Sequence, residues 1–156
     1  MKKYALIILI CICFALTFSS CAAKEQTVSF TQEVSEISSI CVYNVQGSYD
    51  FENVGDLYDE DAPLHTIDKE NYEEFLKAVG GLTFHKKLIP TSLIAGGTNI
   101  GYVIVISYEN GGYDIISEHA TVHCTVAEDG TTNNDIKFLS YAGDTTWEDF
   151  IKGYIA

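Results

Sequence analysis

The sequence predicts an α+β domain, in which an antiparallel sheet of about five strands carries two helices on one face, in the order β-α-β-β-β-β-α. Several runs of β-branched and aromatic residues lack helical periodicity and are typical of strands. Two other stretches repeat apolar residues at helical spacing, so each would bury one stripe. Two one-sided helices are enough to cover one face of such a sheet, which is the basis of the predicted class.

The expected strands follow the apolar runs along the chain. The run GYVIVISY at 101–108 is apolar on both faces, which places it centrally in the sheet. Asn110-Gly111 follows it and predicts a type I′ hairpin turn, whose two central residues both need positive φ. The expected strands are residues 37–45, 82–88, 101–108, 113–117 and 119–126, with a short last strand at 136–140.

The two expected helices have start and stop signals. The first begins after Asp68 as N-cap and ends at Gly80-Gly81. The second begins at a capping box of Thr145 and Glu148 and closes the domain. The repeated apolar residues are Tyr72, Phe75, Leu76 and Val79 in the first helix, and Trp147, Phe150, Ile151 and Tyr154 in the second.

The first 21 residues have the three-part form of a secretory signal. Lys2 and Lys3 precede an apolar run over 5–18, and two serines then lead to Cys21. This stretch resembles the signal of bacterial lipoproteins, in which cleavage before the cysteine leaves it as a lipidated first residue. The apolar run is shorter than the roughly 20 residues that span a bilayer, although a plainly secreted or an uncleaved form stays open. Two acyl chains on Cys21 would hold the mature chain on the membrane.

The hairpin and the last helix carry a second resemblance. Residues 108–117 read Y-E-N-G-G-Y-D-I-I-S, and a Trp-containing helix follows. This arrangement is similar to that of small uncharacterised lipoproteins of Gram-positive bacteria, and it implies a position on the outer face of the cytoplasmic membrane. The predicted organisation is a signal peptide at 1–20, a lipidated cysteine and tether at 21–36, and a single domain at 37–156.

The charge of the chain argues against one class of partner. Its net charge is −13, it has no arginine, and removal of the signal leaves seven lysines against 22 acidic residues. Nucleic acids need clustered lysine and arginine to release counterions, so we expect no nucleic-acid partner. The same deficit argues against a polybasic attraction to anionic lipids, and we expect the domain to stand off the membrane on its tether.

Two cysteines of the expected domain are candidates for a disulfide. Cys41 and Cys124 would lie outside the cell, where disulfides persist. In the chain-entropy model, closing a loop of about 80 residues contributes roughly 4 kcal/mol. Two free thiols that behave as small apolar side chains are the alternative, and sequence spacing does not decide between them.

The histidines of the fifth expected strand are weighed as a metal site and as a binding surface. His119 and His123 have the H-x-x-x-H spacing of a zinc pair, but four residues along a strand span roughly 13 Å. We therefore expect no metal ion and no other cofactor. Alternation puts both histidines with Thr121 and Thr125 on one face, which we predict to be the wetter face. Cys124 points to the other face and cannot pair with His123 as a nucleophile, so no catalytic residue is predicted.

An acidic loop with two tyrosines is the second candidate surface. Asp59-x-Asp61 resembles the start of a calcium loop, but Pro63 and Leu64 occupy positions where that motif requires a ligand and a glycine. A solvated loop that contacts a partner is the better interpretation, because tyrosine is a frequent anchor at interfaces. Its candidate contact residues are Tyr49, Tyr58, Asp56, Asp59 and Asp61.

These patterns favour a membrane-anchored, extracytoplasmic lipoprotein whose domain binds a protein or cell-wall partner without catalysing a reaction. The chain contains no G-x-S-x-G, H-E-x-x-H or C-x-x-C motif that would assign an activity. The membrane would be contacted through the lipid on Cys21. The alternative function is a small metal-dependent hydrolase at the cell surface, whose His and Asp residues come together only in the fold.

Overall fold

The computed structural model describes residues 25–45, 62–87 and 101–155. Within them, the helices are α1 (Tyr72–Gly80) and α2 (Trp147–Ile155), and neither is long and apolar enough to cross a membrane. The strands are β1 (Glu25–Thr27), β2 (Ile37–Val45), β3 (His65–Thr66), β4 (Thr83–Lys86), β5 (Gly101–Tyr108), β6 (Tyr113–Ser117), β7 (Ala120–Val126) and β8 (Thr132–Tyr141). They form one antiparallel sheet in the order β1-β4-β8-β7-β6-β5-β2-β3.

The predicted α+β class with about five strands is wrong, because eight strands pair within the described ranges and the fold is strand-rich. The two strands that were not predicted are the edges of the sheet, with three residues in β1 and two in β3. Strands this short cannot display an alternating pattern. β8 starts at Thr132, four residues before the predicted start at Ile136. The prediction missed these four residues because they are exposed and polar and give no apolar signal.

Both helices pack on the same face of the sheet. Phe75 and Val79 of α1 and Ile151 of α2 are at most 1% exposed. They belong to one apolar cluster whose sheet residues include Ile40, Val42, Ile104, Ile106 and Ile116. We call this the helix side of the sheet.

The opposite side of the sheet holds a second apolar cluster. Because side chains alternate along a strand, the neighbours of the helix-side residues point to this opposite face. The cluster contains Tyr43, Val103, Val105, Ile115, Ala120 and Val122. β5 is therefore buried on both faces, and it is an interior strand between β2 and β6, third from one edge of the sheet that the sequence placed it at the centre of.

The predicted start of α1 is three residues early. A single 3-10 turn over 69–71 follows Asp68, whose side chain makes no capping hydrogen bond, and the α-helix begins only at Tyr72. The helix ends at Gly80, with Gly81 as C-cap, in agreement with the predicted glycine stop. The apolar stripe therefore identified the helix better than its N-cap signal did.

The predicted capping box of α2 is displaced by one residue. Thr146, not Thr145, accepts the helix-end hydrogen bond, from the N–H of Asp149 to its Oγ1 at 3.0 Å. Its hydroxyl also donates to the Asp149 carboxylate at 2.7 Å. Thr146 thus has the N-cap role expected of Thr145, while the Asp149 carboxylate accepts the Thr146 hydroxyl instead of the backbone N–H of a capping box.

The hairpin between β5 and β6 closes without the predicted type I′ turn. Gly111 has a φ of 84°, but Asn110 does not adopt positive φ. The Gly111 N–H donates to the Tyr108 carbonyl at 3.0 Å, and the side-chain oxygen of Asn110 accepts the Gly112 N–H at 2.9 Å. Asn110 stabilises this turn through its side chain, and only Gly111 needs a left-handed backbone conformation to close the hairpin.

The N-terminal part of the described chain belongs to the domain. β1 pairs with β4 at the edge of the sheet, Val28 is buried in the helix-side cluster, and Phe30 packs against it. We call residues 28–33 the crossing segment, because they lead from β1 to the 3-10 turn before β2. The boundary predicted at residue 37 therefore lies inside the domain, and the predicted tether cannot extend past residue 24.

Candidate functional site

A carboxylate lies within the apolar helix side of the sheet. Asp114 is the second residue of β6, and its side chain is fully buried. Strand pairing places it opposite Ile106 of β5 and opposite His123 of β7. A charge in such a place is tolerated only when hydrogen-bond donors surround it.

Donors from three parts of the chain meet this carboxylate. Thr31 of the crossing segment donates its backbone N–H to Oδ2 at 2.8 Å and its hydroxyl to Oδ1. The Tyr108 hydroxyl donates to Oδ2 at 2.5 Å, and Nδ1 of His123 lies 2.9 Å from Oδ1. We call Asp114, Thr31, Tyr108 and His123 the Asp114 cluster.

The hydrogen bonds decide the charge state of this cluster. Burial alone would raise the pKa of Asp114, but the hydrogen bonds from His123, Thr31 and Tyr108 outweigh it and hold this pKa below its ordinary value. Burial raises the pKa of Tyr108, and its hydrogen bond to Asp114 raises it further. At neutral pH the cluster therefore contains an ionised carboxylate and a neutral phenol.

Asp114 fixes the orientation of the His123 ring. An ionised carboxylate has no proton to donate, so Nδ1 of His123 must carry the hydrogen between them. The side chain is 12% exposed, and Nε2 has no hydrogen-bond partner among the described residues. His123 therefore presents Nε2 in a defined direction, as histidines oriented by a carboxylate do in binding and catalytic sites.

The histidine face of β7 is the less buried of its two faces, as predicted, because Thr125 is exposed and both histidines are half-buried, but it is not an open surface. Alternation along β7 does separate His123 and Thr121 from the apolar residues, but this polar face points to the helix side of the sheet. Thr121 is only 2% exposed, and His123 is covered in part by Thr31. A polar pattern on a strand indicates solvent only when no other segment covers it, and here the crossing segment does.

A cleft of about 730 Å³ opens beside His123. One wall is formed by residues 25–29, and β4 and the residue after it contribute Lys86 and Lys87. The floor consists of Thr121 and His123 together with residues 135–139 of β8. Every one of these residues lies within the described chain, so the cleft is defined by the sheet and by the start of the domain.

Comparisons with protein-family models, with curated proteins and with solved structures found no match to this chain. What the cleft can do therefore follows from its own residues. An oriented histidine can accept a proton, bind a metal ion or anchor a polar ligand. The Thr31 hydroxyl is bonded to Asp114 and is not presented to Nε2. In the described part of the chain, no three His, Cys, Asp or Glu residues gather as metal ligands.

The candidate disulfide between Cys41 and Cys124 is excluded by the sheet order. Cys41 lies on β2 and Cys124 on β7, with β5 and β6 between them. Three strand spacings of about 4.8 Å separate the two residues by roughly 14 Å, far beyond the Cα separation that a disulfide allows. Both cysteines are free, and Sγ of Cys41 lies 3.6 Å from the Thr66 hydroxyl.

His119 does not join His123 in one site. It lies in the turn just before β7, with Nε2 at 3.9 Å from the carboxylate of Glu118. Burial lowers the pKa of His119, although Glu118 acts in the opposite direction. The two histidines that were grouped by sequence spacing therefore have separate surroundings.

The remaining candidate residues lie outside the described part of the chain: Cys21, Tyr49, Tyr58, Asp56, Asp59 and Asp61. Sequence reasoning also missed three members of the Asp114 cluster, Thr31, Tyr108 and Asp114. One signal was present, because an aspartate in the apolar run YDIIS has to be paired if that strand is buried. Its partners were not readable, since they come from positions 83 residues before it and nine after it.

Proposed function

We propose that this chain is a membrane-anchored, extracytoplasmic lipoprotein whose domain binds a ligand in the cleft beside His123 without transforming it. The observation that carries the proposal is the cleft itself, about 730 Å³ in volume, with His123 held at its floor by the buried Asp114. A concave site with a few oriented polar groups is the usual form of a ligand site. The leader sequence supplies the location.

The short distance between the anchor and the cleft supports a ligand close to the membrane. With Cys21 lipidated, only residues 22–24 would separate it from Glu25, which lines the cleft. Even a fully extended chain spans only roughly 14 Å over that interval. In this proposal the cleft opens near the bilayer surface, and the domain does not stand off on a long tether.

Site-specific photocrosslinking in living cells tests the proposal. A photoreactive residue would replace Lys137 in the cleft, and the same residue at Lys152 of α2 is the matched control, because the two side chains are 46% and 54% exposed. We expect a discrete adduct from position 137 and none from 152. A second arm replaces Cys21 with serine, and we expect this variant to leave the membrane fraction.

Each arm can contradict its own part of the proposal. Equal labelling from positions 137 and 152, or no labelling from 137, would remove the cleft as the binding site. A Cys21→Ser protein that stays in the membrane fraction as fully as the wild type would remove the lipid anchor. Cys41→Ser is the control for the loss of a thiol alone.

A further inference from the structure

The distribution of lysine in the domain is uneven. The chain has a net charge of −13, and only seven of its lysines follow the leader. Three of them, Lys86, Lys87 and Lys137, line the cleft beside His123. The acidic residues that line the same cleft are Glu25 and Asp135, out of 22 in the whole chain. The cleft is therefore a basic site in an acidic protein.

The acidic residues of the cleft leave part of this positive charge unmatched. Nζ of Lys137 lies 3.3 Å from the Asp135 carboxylate in a solvent-exposed pair, which leaves the ammonium group accessible to a ligand. Lys86 has no carboxylate within ion-pair distance among the described residues. A cleft with a surplus of one sign of charge attracts ligands of the opposite sign.

The floor of the cleft adds polar groups that are held in place. Thr121 is almost fully buried, and the ring of His123 is fixed through Nδ1, so Nε2 is the atom left for a ligand. Because Nδ1–H is already bonded to Asp114, Nε2 donates to a ligand only in the imidazolium form, and an anion bound next to the ring favours that form. Lysine ammonium groups and an oriented imidazole together form a suitable lining for a compact anion.

We propose that the cleft binds an anionic group, a carboxylate or a phosphate, through Lys86, Lys137 and His123. This proposal rests on the proposed function, because it names the chemistry of the ligand that the cleft would take. The two kinds of anion share the same recognition chemistry, and the experiment below distinguishes them.

The test is a titration of the lipidated protein in detergent micelles, with thermal unfolding as the readout and ionic strength held constant with sodium chloride. One arm uses inorganic phosphate, and the other uses a short peptide with a free C-terminal carboxylate, compared with the same peptide amidated. A ligand that binds only the native state raises the melting temperature in a saturable way. We expect saturation with at least one anion and none with the amidated peptide.

Charge-removing variants locate the site. The double variant Lys86→Gln/Lys137→Gln should weaken anion binding by about five-fold or more, as expected for partly exposed charge contacts. The control Lys69→Gln/Lys77→Gln removes the same charge at and just before α1, away from the cleft, and should leave binding unchanged. His123→Gln keeps a side-chain donor at the floor and should weaken binding less than the double lysine variant.

The outcomes separate this proposal from the proposed function. A saturable shift with phosphate alone, or with the carboxylate peptide alone, supports the site and names its anion. No saturable shift with either anion, or an equal loss in the control pair, overturns it. If neither anion binds but the crosslink at position 137 is still observed, the cleft remains the binding site proposed above, and its ligand is not an anion.

Discussion

Asp114 shows how a single residue can control a whole region of this sheet. Its carboxylate accepts hydrogen bonds from the crossing segment, from β5 and from β7 at once. The buried charge therefore ties the crossing segment to strands that are already paired with β6. It also orients His123, so stability and the shape of the cleft depend on the same group.

The first prediction concerns the loss of this charge. Asp114→Asn keeps the volume of the side chain but replaces an acceptor by an NH₂ group that faces donors. We expect a loss of about 3 kcal/mol in the free energy of unfolding, because breaking a buried charged pair leaves its partners unsatisfied. Urea denaturation at pH 7 measures it, and the exposed Asp144→Asn should stay within about 0.5 kcal/mol of the wild type.

The pH dependence of the same variant follows from the direction of the Asp114 shift. A carboxyl whose pKa is depressed by folding stabilises the protein above its unfolded pKa, here 3.8, and loses this contribution as pH falls through the folded value. The wild type should therefore lose more stability below about pH 4 than Asp114→Asn does. Identical slopes in the two proteins would show that Asp114 does not have a depressed pKa.

At the scale of secondary-structure elements, the local patterns identified the helices and the long central strands. The apolar stripes of α1 and α2 and the apolar run of β5 lie where they were predicted. The edge strands β1 and β3 were missed, because two or three residues carry no period. Their positions are set by the strands they pair with.

The second prediction separates the observed helix cap from the predicted one. Thr146→Ala should lower the free energy of unfolding by about 1 kcal/mol, because it removes the acceptor of the Asp149 N–H at the start of α2. Thr145→Ala is the matched control, one residue away and exposed, and should cost only a few tenths as much. Thermal and urea unfolding of both variants check this, and the reverse order would restore the predicted capping box.

At the scale of the whole molecule, strand order determines which residues can meet. Four consecutive strands along the chain, β5 to β8, are also neighbours in the sheet, but β2 pairs with β5 and β4 pairs with β8. This order separates Cys41 from Cys124 by two strands. It also places Lys86 and Lys87 next to β8 and thereby builds the cleft.

The third prediction is that both of these cysteines are free thiols in the mature protein. If Cys21 is lipidated as proposed, the protein purified from membranes and unfolded without reductant should titrate two thiols, and Cys41→Ser should titrate one. In the native state Cys41 should react faster, since Cys124 is only 2% exposed. No thiols before reduction would mean that the two residues are bridged and that the strand order is wrong.

The sequence by itself determined the features that depend on nearby residues: the acidity, two amphipathic helices and the long apolar strands. These are readable because helical and strand periods need only a few consecutive residues. The tertiary structure alone decided the number of strands, the separation of the cysteines, the covered face of β7 and the Asp114 cluster. The physical reason is that burial and hydrogen bonding join residues such as Thr31 and Asp114, which are distant in the chain, and only strand order brings them together.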